Sequence, residues 1–129
     1  MLWQDTALGM AGLIGSGVAI FHGMVVQRRM VEPFAAVARQ SGVFNGTIRR
    51  IVPPLLHFST VIWLLGGLAL LATPWMPREG RLAVAVMVGG AYLFGVVFNF
   101  RATRGRHPGW MLLALTLALI VVGTLARGD

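Results

Sequence analysis

Apolar residues in this chain fall into four long runs, and the polar stretches between them are rich in arginine. A helix needs about 20 mostly apolar residues to cross the hydrocarbon core of a bilayer. Thr6 to Val26, Pro53 to Thr73, Arg81 to Phe100 and Gly109 to Ala126 meet or approach that length. Within the four runs there is no Asp, Glu or Lys, and Arg occurs only at the Arg81 edge. A helix in a soluble bundle keeps a polar stripe for water, and none of these runs has one wide enough. The pattern predicts an all-α integral membrane protein, a single domain over residues 1–129 folded as an up-down bundle of four transmembrane helices. The stretch 27–52 is the one sizeable piece left outside the bilayer.

Composition sharpens this. Hydrophobic residues make up 57% of the 129 and charged residues 12%, where a soluble domain carries about 25% charged residues. The net charge of +7 comes from eleven arginines against four acids. In a soluble protein that basicity would suggest nucleic acid. Here the charges sit at the ends of apolar runs, so the expectation is membrane and no nucleic acid. The chain has no cysteine, which excludes disulfides and thiolate metal sites. The first run does not read as a cleaved signal, because Asp5 precedes it and the arginines follow it.

The arginines also predict an orientation. Arg28, Arg29, Arg39, Arg49, Arg50, Arg101, Arg104 and Arg106 fall on one side, and Arg78, Arg81 and Arg127 on the other. Basic loops stay in the cytoplasm, so both termini are expected on the non-cytoplasmic side of a bacterial inner membrane. Asp5, Glu79 and Asp129 then lie outside, with Trp3 and Trp75 at the outer interface and Trp110 at the inner one. Within 27–52, Glu32-Pro33 reads as a helix start. Phe34 and Val37, with Met30, supply an apolar face beside Arg39. Two readings stay open: a short helix on the inner leaflet contacting anionic headgroups, or a plain loop capping the bundle.

Helices in lipid associate through small residues and polar pairs. Ala11, Gly15, Ala19 and Gly23 recur every four residues along the first run, with Gly12 and Ser16 beside them. Ala91 and Gly95 repeat the interval in the third, the second has Gly66-Gly67, and the fourth has Ala114 and Ala118. Such grooves either pack the monomer or build a homo-oligomer or a larger membrane complex.

Ionisable groups inside a membrane are the default functional candidates. His22 and His57 are expected at similar depth near the inner end of neighbouring helices, with Asn99 in the same layer and Thr60 one turn beyond His57. Arg49, Arg50, Arg101, Arg104 and Arg106 would form a rim above them, able to hold an anionic lipid or ligand. Against this stands the plain reading, in which the two histidines are hydrogen-bonded packing residues. Buried carboxylates, which membrane proton relays use, are absent from the runs. No nucleophile, base and orienting group occur together, and three histidines without acids or thiols make a poor metal site. The expected function is therefore an accessory or structural membrane protein rather than an enzyme. Two alternatives remain. One is a b-type haem carrier with His22 and His57 as axial ligands and arginines for the propionates. The other is a small oligomeric transporter or channel for a neutral or anionic solute.

Overall fold

A computed structural model describes residues 3–125, and every regular element in that span is helical. Helix α1 (Trp3–Val26) runs through a π-helical turn (Gln27–Val31) straight into α2 (Glu32–Gln40). A short turn leads to α3 (Gly46–Leu56), which bends at His57 into α4 (Phe58–Ala72) and a 3₁₀ turn (Thr73–Trp75). Helices α5 (Arg78–Thr103) and α6 (Gly109–Leu125) complete the chain. Trp3–Gln40, Gly46–Trp75 and Arg78–Thr103 are each long and apolar enough to cross a membrane, and Gly109–Leu125 is a shorter apolar helix. The expected positions of Ala126, Arg127 and Asp129 lie outside the described residues.

Neighbouring helices in the bundle run antiparallel. Gly12 of α1 meets Gly67 of α4, and Gly23 meets Thr60. Leu8 meets Gly123 of α6, and Gly95 of α5 meets both Trp63 and Leu113. Helix α1 thus packs on α4 and α6, and α5 packs on the same two from the opposite side. The centre is built on small residues. Ala11 and Ala19 are fully buried, and the Tyr92 phenol from α5 fills the notch at Gly15. Its hydroxyl donates to the Trp63 carbonyl at 2.9 Å, so one side chain joins α1, α4 and α5. At Gly12 and Gly67 a Cβ on either residue would come within 2.9 Å of the other's carbonyl oxygen. This contact lies beside the predicted groove rather than in it, and brings the backbones of α1 and α4 too close for a side chain on either glycine. Ala91 lies at the margin of the core and Gly95 within it. The small residues of α1, α4 and Gly95 of α5 meet this chain's own helices, whereas Ala114 of α6 is only partly buried and Ala118 is exposed.

The stretch 27–52 is mostly helix rather than a plain loop, a hairpin formed by extensions of the first two apolar runs. Helix α2 starts at Glu32 with Pro33 in its first turn, as the Glu32-Pro33 pair predicts, and it follows α1 through the π-turn without a break. A proline inside a helix clashes with the carbonyl four residues earlier, here that of Arg29. The π-turn relieves this by widening the ladder, with the Glu32 N–H reaching back to the Gln27 carbonyl. On the return limb Pro53 and Pro54 sit inside α3, and the helix bends four residues later at His57 (φ −85°, ψ −3°). The Asn45 side chain caps α3 by accepting from the Ile48 N–H at 2.9 Å, and Phe34 packs on Phe44 at 5.4 Å to close the hairpin base to tip. At the opposite end of the bundle Arg81 donates to Asp5 at 2.6 Å. It also donates to the carbonyls of Met76 at 3.0 Å and Pro74 at 2.8 Å.

Candidate functional site

The predicted polar layer is present only in part. His22 is half-buried on α1, its Nε2 is 3.0 Å from the Ser59 hydroxyl of α4, and its ring lies 4.6 Å from that of Trp63. His57 sits at the bend and its Nε2 is 3.0 Å from the Gln27 amide oxygen. Helical geometry explains the split: residues two apart point to different sides, so Ser59 faces α1 while His57 turns to the π-turn. Each imidazole is thus tied to its own neighbour, and a haem between them would require both to let go. Thr60 packs its methyl on Gly23, and its hydroxyl is buried without a partner.

His22 and Asn99 do come together. They line one cavity of about 260 Å³ at the hairpin end of the bundle, between α1, α5 and α6. His57 and Thr60 are not among its lining residues. Helix α1 contributes Val18, His22 and Val25, and the π-turn above it contributes Arg29. These four follow the spacing 18, 22, 25, 29, which is one stripe of a continuous helix. The sequence held that signal, but an α1 ending at Val26 concealed it. From α5 come Asn99 and Thr103. The Asn99 amide donates to the Gly95 carbonyl at 2.8 Å, and the Thr103 hydroxyl donates to the Asn99 carbonyl at 2.7 Å.

His107 is the third polar group, brought in by the way α5 stops. Arg104 takes a left-handed conformation (φ 50°) and Gly105 follows at φ 73°. The Gly105 N–H returns to the Phe100 carbonyl at 2.9 Å, closing the helix end. The reversed chain lays His107 against Phe21 of α1 with ring centres 6.4 Å apart. The Gly109 N–H donates to its Nδ1 at 3.1 Å. With Nδ1 an acceptor, the neutral ring carries its proton on Nε2. Of the predicted rim, Arg49 donates to the Phe44 carbonyl at 2.9 Å. Neither it nor Arg50, Arg101, Arg104 or Arg106 lines the cavity.

Arg29 makes no hydrogen bond or ion pair among the described residues. It stands with His107 Nε2–H and one unused Asn99 N–H as free donors around an apolar slot. Among the described residues no three His, Cys, Asp or Glu side chains cluster to hold a metal ion. What the fold and site define is a class: an apolar helical bundle with a basic helical hairpin and a donor-lined cavity at its base. No family model, curated protein or solved structure matches the chain.

Proposed function

We propose that this chain is a membrane-embedded accessory protein whose working surface is the basic helical hairpin, seated on the anionic headgroups of the cytoplasmic leaflet. The observation that carries the reading is the face of α3. Ile48, Ile51 and Leu55 are exposed at helical spacing, Leu55 by 63%, and Phe58 continues the stripe past the bend. Arg49 and Arg50 fall on the opposite face of α3. An apolar face backed by an arginine-bearing polar face is the pattern of a helix lying in the headgroup boundary, and each arginine near an anionic surface adds about 1 kcal/mol.

The bundle beneath acts as the anchor. The small-residue groove of α1 is filled from within by Tyr92, Gly67 and Thr60, which supports a self-contained core with the hairpin as the part that engages something else. The arginine asymmetry supports placing that hairpin in the cytoplasm of a cell whose inner membrane carries the protein.

The absence of cysteine makes the test direct. Ile51→Cys, labelled with an environment-sensitive dye, should shift to the blue in vesicles containing phosphatidylglycerol. Arg49→Ala with Arg50→Ala should reduce that shift. A dye that reports water in every lipid composition would rule the reading out.

A further inference from the structure

Two apolar grooves meet at the base of the hairpin. One is the 260 Å³ cavity with Arg29, Asn99 and His107 at its polar end. The other, about 300 Å³, lies against the same α1 face toward Ile14 and is almost wholly apolar. They share Val18, Phe21, His107 and Gly109, so the stacked Phe21–His107 pair forms the ridge between them. Along α1 the first groove spans Val18 to Met30, about 18 Å, and the second Ile14 to Phe21, about 10 Å. Two greasy slots of unequal length thus diverge from one ridge, and the donors gather where it ends.

We propose that this double groove holds a single anionic glycerophospholipid, one acyl chain on each side of Phe21 and His107. Its phosphate sits on the Arg29 guanidinium and His107 Nε2–H. Charge complementarity selects this occupant. Arg29 lacks an internal partner, and Glu32, three residues on, does not pair with it among the described residues. Arg28, Arg104 and Arg106 stand at the same end of the bundle. The apolar walls exclude a free phosphate, which would leave both slots unfilled, and an arginine fork fits phosphate oxygens two at a time. The π-turn that accommodates Pro33 carries Arg29 over the opening. The inference rests on the chain being membrane-embedded but not on where the hairpin lies.

Native mass spectrometry of the protein released from nanodiscs of phosphatidylcholine and phosphatidylglycerol tests it. One retained phosphatidylglycerol per chain is expected, in excess of its share of the disc. Arg29→Ala should lower that retained fraction at least about tenfold, since its charge-assisted hydrogen bonds to the phosphate are lost, and Arg29→Lys should restore part of it. Val25→Trp, which adds bulk to the slot without touching charge, should lower it as well. Arg49→Ala with Arg50→Ala should lower it much less than Arg29→Ala does, which separates this site from general attraction to the hairpin. Retention in proportion to disc composition would overturn the proposal. So would equal loss in the Arg29 and the Arg49/Arg50 variants, or displacement of the lipid by millimolar inorganic phosphate.

Discussion

Tyr92 and Gly15 set the tolerance of the core. The phenol occupies space that any Cβ at position 15 would claim, and its hydroxyl spends its one proton on the Trp63 carbonyl. Two substitutions separate packing from hydrogen bonding. Tyr92→Phe removes only the bond, which in a membrane bundle is worth about 0.6 and at most about 1.7 kcal/mol. Gly15→Val overfills the notch and forces the ring away, costing about 1–3 kcal/mol with the hydrogen bond lost besides. Thermal unfolding in mild detergent should therefore fall further for Gly15→Val than for Tyr92→Phe. The reverse order would mean that the ring does not sit in the notch. At this scale the sequence was legible where spacing alone decides: the interval of four from Ala11 to Gly23 marks the buried face of α1, and Trp63 belongs to the core. It was not legible at His57, because position along a helix does not determine direction around it. Ser59 faces His22 of α1, whereas His57, two residues earlier at the bend, is turned to Gln27.

Among the elements, the ends of α1 and α5 are joined away from the hairpin by Asp5 and Arg81. Both side chains are nearly covered, at 10% and 13% exposure. Removing one member of such a pair leaves a buried charge uncompensated, at a cost of about 3–5 kcal/mol. Asp5→Ala should thus lower the unfolding midpoint sharply, while Asp5→Ala with Arg81→Met should recover much of the loss. Failure of the double variant to recover would show that the carbonyl bonds of Arg81, not its charge pairing, hold this end. The helices themselves were readable as apolar runs, but their ends were not. Hydropathy falls after Val26, though the helix continues through the π-turn and Pro33 to Gln40. A π-turn leaves no mark in hydropathy, and its trace here is a proline four residues after Arg29. Likewise α3 was hidden because Pro53-Pro54 reads as a start when it lies near a helix end.

At the scale of the whole molecule, length carries the account. Trp3–Gln40 comprises 38 residues, about 57 Å of helix, against about 30 Å of hydrocarbon. The excess lies with the hairpin at the arginine-rich end. The hairpin carries charge and an apolar face, and the donor-lined cavity lies where it joins the bundle. The proposed headgroup-binding role requires the chain to cross the bilayer with the hairpin on the cytoplasmic side, and the lipid site requires only the crossing. Val43, 77% exposed at the hairpin tip, and Trp75, 84% exposed at the other end, are positions where a cysteine disturbs nothing buried. The most direct measurement is labelling of Val43→Cys and Trp75→Cys in intact bacterial cells with a membrane-impermeant maleimide. The account predicts that Trp75→Cys reacts from outside and that Val43→Cys reacts only after the membrane is opened. Reaction of both from one side, or of Val43→Cys alone in intact cells, would contradict it.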